Sequence, residues 1–200
     1  MWEERFSNSQ DYVFGTEAAA FLRDNLGWLT PGARTLCVAD GEGRNSVFLA
    51  ECGLDVSSFD LSPTAIGRAR DLAEARGVAL DANVSVWESW DWAGPQWDLV
   101  VAIFVQFTDP QARVGQFEDL KRALRPGGRL MLHGYTPKQV EYGTGGPPDP
   151  ARMYTSDLLR ESFAGWHIER LAEYEKELDE GAGHSGRSAL IDLIASKPRI

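Results

Sequence analysis

Cysteine, histidine, basic charge and long apolar runs are all scarce in this chain. Only Cys37 and Cys52 occur, with no CxxC spacing, so neither a disulfide framework nor a cysteine-based metal site is expected, and both read as structural thiols. The histidines, His133, His167 and His184, form no HxxxH or HxH pair, and no metal site is expected from them either. The longest apolar run, Leu99 to Val105, is far shorter than the roughly 20 residues that span a bilayer. The opening MWEERFSNSQ lacks the basic start and apolar middle of a secretory signal, so the expected location is the cytoplasm. Lys and Arg number 20 against 30 Asp and Glu, a formal charge of −10. That balance opposes binding to a polyanion, because phosphate contacts dominate nucleic-acid affinity. The expected partner is a small molecule, with neither nucleic acid nor membrane. Nothing in the sequence specifies an oligomeric state.

What is present is enough apolar material for one core: 43% of 200 residues are hydrophobic, and no linker divides residues 1–200, which read as one domain. TEAAAFLRDNLGWL has apolar residues at spacings of three and four and predicts a helix from Thr16 to Leu29. Short strands are predicted at Thr35–Ala39, at Leu54–Phe59 with Asp60 at its carboxyl end, in ANVSVW, at Trp97–Phe104 and in RLMLHGY. Helices are predicted between them: Arg44–Cys52, the run after Ser62-Pro63 that closes on Gly77, and Asp109–Leu124. TPKQVEYGTGGPPDPARM reads as a long loop, followed by the capped helix TSDLLRESFAG. Two further strand-like runs, Trp166–Leu178 and Ser188–Ser196, flank DEGAGHSGR. This alternation implies an α/β, doubly wound, Rossmann-like sheet, mostly parallel, ending in an antiparallel hairpin.

The turn ADGEGRNS, between the first strand and its helix, is where such a sheet brings backbone nearest a ligand. Gly41 and Gly43 permit that approach, but Asp40 and Glu42 beside them would repel a pyrophosphate at the helix N-terminus. A zwitterionic amino-acid moiety avoids the conflict, since its ammonium can meet a turn carboxylate while amide N–H groups face its own carboxylate. S-adenosylmethionine carries such a moiety and no phosphate. Asp60, at the end of the second strand, is placed to accept bonds from ribose hydroxyls. No GxxxxGK[ST], G-x-S-x-G or Tyr-x-x-x-Lys motif is present to argue otherwise.

VADGEGRNSVFLA, VSSFDLSPTAI, WDLVVAIFVQF and LRPGGRLML together resemble the class I, seven-stranded S-adenosylmethionine-dependent methyltransferases over nearly the whole chain. Within them, GEGRNS followed by DLSPTAI is most similar to the tellurite-resistance-type and thiopurine-methyltransferase-like small-molecule branches. The resemblance implies that Asp40, Gly41 and Gly43 hold the methionine part, with Glu42 and Asn45 of the same turn also on the cofactor. It implies Asp60 on the ribose, Leu61 packed on the adenine, Val86 and Trp87 beside it, and Ile103 next to the methionine moiety. Many relatives carry an Asp where Val86 aligns; here Glu88, a backbone carbonyl or a water would take the adenine amino group. WEERF and YVFGTE look like a lid, with Trp2 and Arg5 closing over the sulfonium; equally, residues 1–29 would form an arm packed on the body.

The function so implied is transfer of a methyl group to a small acceptor such as a thiol, metalloid oxyanion or amine. The alternative of another class is a non-catalytic sensor of the cofactor or its product. A sulfonium methyl is already activated, so a base is needed only where the acceptor must lose a proton. Candidate catalytic groups are His184, on the final hairpin, and Tyr135, past the fifth strand, with Gln106 and Glu180 as further polar candidates. His184 reads either as a base or as a solvated hairpin-tip residue. Residues 136–153 read as a flexible cover over the acceptor site, with Tyr142 facing inward, or as a loose surface connection.

Overall fold

Seven strands, β1 (Arg34–Val38), β2 (Asp55–Asp60), β3 (Asp81–Val84), β4 (Trp97–Ile103), β5 (Leu124–Tyr135), β6 (His167–Asp179) and β7 (Ser185–Ser196), make up one sheet. The computed structural model describes residues 2–199, and the strand order is β3-β2-β1-β4-β5-β7-β6. β1, β2 and β3 pair in parallel, as do β4 and β5, whereas β7 runs antiparallel to both β5 and β6. Parallel neighbours need a crossover, which the intervening helices supply. The expected α/β architecture, a mostly parallel sheet with a terminal antiparallel hairpin, is the one the chain forms. By contact the residues fall into two units, one running to Asp91 and including Glu180–Gly183, the other comprising Trp92–Asp179 and the chain from His184 onward.

In the first unit, α3 (Arg44–Glu51) and α4 (Pro63–Arg76) alternate with β1, β2 and β3. α4 has the start and stop signals its sequence advertises: the Ser62 hydroxyl accepts the Ala65 N–H at 3.0 Å, Pro63 opens it, and Gly77 closes it in the left-handed conformation. Leu36, Leu49, Phe59 and Ile66 are fully buried in this unit. α1 (Trp2–Ser7) precedes them, and in place of the predicted long helix from Thr16 stand α2 (Ala20–Arg23) and a separate 3₁₀ turn, Leu26–Trp28. Tertiary bonds explain the shortening. Asn45 Oδ1 takes the Ala19 N–H at 2.9 Å and Glu180 Oε1 takes that of Ala20 at 2.8 Å, so the helix begins where outside carboxamide and carboxylate groups cap it. The third strand also stops early, at Val84, and passes into a 3₁₀ turn at Trp87–Ser89.

In the second unit, α5 (Pro110–Ala123) joins β4 to β5, with Asp109 Oδ1 accepting the Ala112 N–H at 2.8 Å, and α6 (Ser156–Ser162) leads into β6. Val100, Val101 and Ala102 of β4 are buried without alternation, as a covered parallel strand requires. The Gly- and Pro-rich segment 136–153 is strapped to β7. The fully buried Gln139 takes the Ala189 N–H on Oε1 at 2.8 Å and donates from Nε2 to Thr144 Oγ1 at 2.9 Å. Tyr142 lies under Lys138 and Arg187, whose charged groups are 5.9 and 5.7 Å from its ring and both pair with Glu175. Among the described residues no helix is long and apolar enough to cross a membrane.

Candidate functional site

Leaving β1, the chain enters the left-handed region at Ala39 (φ 47°) and at Gly41 (62°) and Gly43 (86°) before α3 begins. An alanine with positive φ is strained, so this turn is held by its surroundings. At Gly43 the reason for glycine is internal: a Cβ there would lie 2.6 Å from the Ala69 Cβ and 2.8 Å from its Cα. The residue lets α3 press on α4, a different reason from the ligand approach read in the sequence. A Cβ on Gly41 would meet only the Phe6 ring, Cζ at an ordinary 3.5 Å and Cε1 at 3.9 Å.

The three acids of the site have different fates. Glu42 is buried and engaged inside the unit: Oε2 accepts the Val13 N–H at 2.7 Å and Oε1 pairs with Arg68 at 2.5 Å. The expectation that it faces an ammonium is therefore corrected; it anchors the N-terminal arm. Asp40 turns its carboxyl inward, with Oδ2 accepting the Ser46 N–H in the first turn of α3 at 3.3 Å. Burial pushes that carboxyl up to about 6, against the lowering effect of Ser46 and of the Arg44 charge. Asp60 is buried at the end of β2, where Oδ2 accepts the Gly41 N–H and Oδ1 the Ser62 N–H, each at 3.0 Å. Burial raises its pKa, and these backbone donors oppose the rise. A carboxylate has about four acceptor positions, so two such bonds leave capacity for a diol.

Around Asp60 the surface is apolar and open. Leu61 and Val86 are each 45% exposed, and the Ser85 N–H bond to the Asp60 carbonyl, 2.9 Å, brings the two segments together. Trp87 is half-buried with its ring edge-on to Phe59 at 6.0 Å, and Glu88 is exposed on the same 3₁₀ turn. Asn45, by contrast, is buried with its Oδ1 on the Ala19 N–H. Trp2 stacks on Phe6 at 5.9 Å, and the Arg5 guanidinium covers the Trp2 and Phe14 rings at 5.1 and 5.3 Å. Glu3 accepts from the hydroxyls of Ser62 and Thr64, which ties α1 to the start of α4. The first unit thus gathers Asp40, Gly41, Asp60, Leu61 and Val86, with the arm bearing Trp2 and Arg5 reaching Gly41 through Phe6.

In the second unit the structure unites the two predicted catalytic residues. The Tyr135 hydroxyl and His184 Nδ1 are 2.6 Å apart, with the residues 1% and 8% exposed, so His184 is not a solvated hairpin-tip residue. Sequence reading missed what holds them. Phe104, at φ 56°, stacks on the His184 imidazole at 4.1 Å and lies 4.7 Å from the Tyr135 ring. Gln106 brackets the Tyr135 backbone, accepting its N–H on Oε1 at 2.7 Å and donating from Nε2 to its carbonyl at 2.8 Å. His133 sits edge-on to Phe104 at 4.9 Å, and its Nδ1 is 2.8 Å from Oδ1 of the buried Asp192. Asp192 is pushed up by burial but held lower on balance by His133, Arg170 and Tyr174. Ile103, half-buried, pairs with His133 in the β4–β5 register. Glu180 is taken up in an ion pair with Arg44 at 2.9 Å, so it anchors the first unit.

Comparison with known proteins adds a partial family match and a fold. A family model described as a methyltransferase domain matches residues 35–128. An uncharacterized protein of Mycobacterium bovis is 34% identical over 108 residues, 53% of this chain and 38% of that protein. The matched stretch therefore spans under two fifths of that relative's length. Among solved structures, one concerned with the conversion of a disulfide bond into a thioacetal group during echinomycin biosynthesis superposes with a TM-score of 0.77 at 23% identity, covering 97% of this chain and 86% of that one. The N-methyltransferase NodS from Bradyrhizobium japonicum, in complex with S-adenosyl-L-homocysteine, superposes with a TM-score of 0.71 at 14% identity, covering 98% and 96%. Residues 35–128 thus match a methyltransferase-domain model, and among the described residues they lie in a seven-stranded sheet whose fold is shared with structures such as NodS.

Proposed function

We propose that this chain is an S-adenosylmethionine-dependent methyltransferase acting on a small-molecule acceptor, with Tyr135 and His184 as its candidate catalytic residues. The reading is carried by the end of β2: a buried carboxylate, Asp60, braced by two backbone N–H groups and bordered by exposed Leu61 and Val86. A diol paired with a flat apolar ring fits that combination, and an adenosine offers both. Asp40 supplies the negative charge for the ammonium, the Gly41 N–H braces Asp60, and Trp2 and Arg5 belong to the arm beside it. When bound, the cofactor supplies a methyl group on a sulfonium. The chain's own task is then to hold the acceptor in line and exclude water, positioning worth up to about 7–11 kcal/mol in favourable cases. The net charge of −10 favours a small acceptor over a nucleic acid.

Calorimetry with S-adenosylhomocysteine, with NADPH as the competing ligand class, tests the cofactor assignment; binding of the dinucleotide alone overturns it. A mass-spectrometric screen of thiols, amines, phenols and metalloid oxyanions for methylated product tests the activity. Cofactor binding with no turnover on any of them would favour the sensor.

A further inference from the structure

In the first unit two carboxylates meet on a single residue. Ser62 gives its N–H to Asp60 Oδ1 at 3.0 Å and its hydroxyl to Glu3 Oε2, so the acid proposed for the ribose and an acid of the N-terminal arm are joined through one serine. Glu3 also reaches into α4. Its Oε1 accepts the Thr64 hydroxyl at 2.5 Å and its Oε2 the Thr64 N–H at 3.3 Å. The other donors of that first turn are used within it: Pro63 has no N–H, Ala65 donates to the Ser62 hydroxyl oxygen and Ile66 to the Ser62 carbonyl, each at 3.0 Å. α4 carries no acid of its own in its first turn, so Glu3 supplies from the arm the negative charge that a helix N-terminus favours. The Ser62 and Thr64 hydroxyls hold its carboxyl below the usual carboxylate range, which keeps it ionised at neutral pH. A helix start that offers two hydroxyls and an N–H is a ready anion position. Here it is filled from within.

We infer that Glu3 determines specificity at the adenosine site by occupying the anion position at the start of α4, which restricts the site to adenosines whose ribose carries no phosphate. The inference rests on the proposed reading of Asp60 as the ribose acceptor. A phosphate on either ribose hydroxyl would come to Asp60 with its negative charge facing a second carboxylate, and the Thr64 donors that could neutralise it are already taken. A neutral ribose meets neither obstacle. Burial is the main cause of the raised Asp60 pKa and the Glu3 charge adds to it, so the two acids act on each other across Ser62. Asp60 accounts for acceptance of a diol, and Glu3 for refusal of the phosphorylated diol. S-adenosylmethionine belongs to the accepted class, and adenosine cofactors with a ribose phosphate to the refused one.

Calorimetry of the full chain with adenosine, adenosine 2′-monophosphate and adenosine 3′-monophosphate reads the discrimination directly. The parent should prefer adenosine to either monophosphate, and Glu3→Gln should narrow that ratio about tenfold. Glu3→Ala, which also empties the position, should narrow it at least as far. A role confined to anchoring the arm would weaken every ligand together and leave the ratio where it stands; that result, or a parent indifferent to the phosphate, would overturn the inference. Inorganic phosphate provides a readout without any nucleoside. The Ser62 and Thr64 amide resonances should move on titration into Glu3→Ala and stay fixed in the parent; resonances that stay fixed in both, or move equally in both, would overturn the filled anion position. If adenosine and S-adenosylhomocysteine both fail to bind the parent, the proposed function falls and the specificity role with it, while the phosphate titration still decides what Glu3 occupies.

Discussion

The turn after β1 and the cluster around Phe104 are built on opposite plans. The turn is one contiguous stretch, residues 39–46, and several of its marked residues act inward: Gly43 admits Ala69, Glu42 holds Val13 and Arg68, Asn45 caps the chain at Ala19. The cluster draws Phe104, Gln106, Tyr135, Gly146 and His184 from stretches far apart, and the other four converge on Tyr135 and the imidazole it meets. In the first region a motif that looks wholly functional is largely scaffold. In the second, residues without a motif make a coherent polar site.

Gly43→Val should give the largest effect. A side chain forced against Ala69 at positive φ combines overpacking with left-handed strain, about 3–5 kcal/mol together. Urea denaturation is expected to show that loss. A stable Gly43→Val that merely failed to bind S-adenosylhomocysteine would return the glycine to its ligand role and undo the contrast. Glu42→Ala comes next, at about 3 kcal/mol, because it removes the carboxylate that faces Arg68 and leaves a buried N–H without its acceptor. Refolded protein should still bind S-adenosylhomocysteine within a few-fold; a selective loss of binding would restore Glu42 to the cofactor.

These expectations show why the regions were unequally legible. The sheet could be read because alternating apolar runs and capped helices, such as Ser62-Pro63 to Gly77, are local patterns. The error at Glu42 arose because charge alone does not say which way a carboxylate points. Burial against Val13 and Arg68 is set by residues 29 and 26 positions away. The helix predicted from Thr16 failed for the same cause, since its caps come from Asn45 and Glu180. In the second unit Tyr135 and His184 were visible as residue types beside strand ends. Their pairing was not, because it spans 49 positions. Phe104 gave no signal at all, as a positive φ at phenylalanine has no sequence marker.

Acid sharpens the contrast between the regions through two carboxylates, the half-buried Asp40 and the buried Asp192, shifted in opposite directions. Asp40 titrates at about 6, above its unfolded value, so the folded chain holds the proton more tightly. Its contribution to stability is complete below the unfolded pKa and is lost as pH rises through 6, while protonation removes the charge that would meet an ammonium. Affinity for S-adenosylhomocysteine should therefore fall about tenfold from pH 8 to pH 5, and Asp40→Asn should be weaker throughout and flat with pH. Asp192, lowered by His133, Arg170 and Tyr174, gives the reverse. Its contribution is present above the unfolded pKa and is lost as pH falls through its lower folded value. Thermal unfolding of Asp192→Asn across that range should lose the part of the acid sensitivity that Asp40→Asn retains.

The smallest effect belongs to Leu61, and it is the cleanest measure of whether the exposed side of the first region is kept for a ligand. At 45% exposure Leu61 supports little of the core, so Leu61→Ala should leave the urea midpoint nearly unchanged. Packed under an adenine, the same side chain would lose roughly 1 kcal/mol of contact, about a fivefold rise in Kd for S-adenosylhomocysteine. Methionine binding, which needs only the turn, should not respond. Equal losses for both ligands would mean that Leu61 acts through the fold. A loss confined to the nucleoside-bearing ligand would separate, within one region, the acids that hold the chain together from the surface left open beside Asp60.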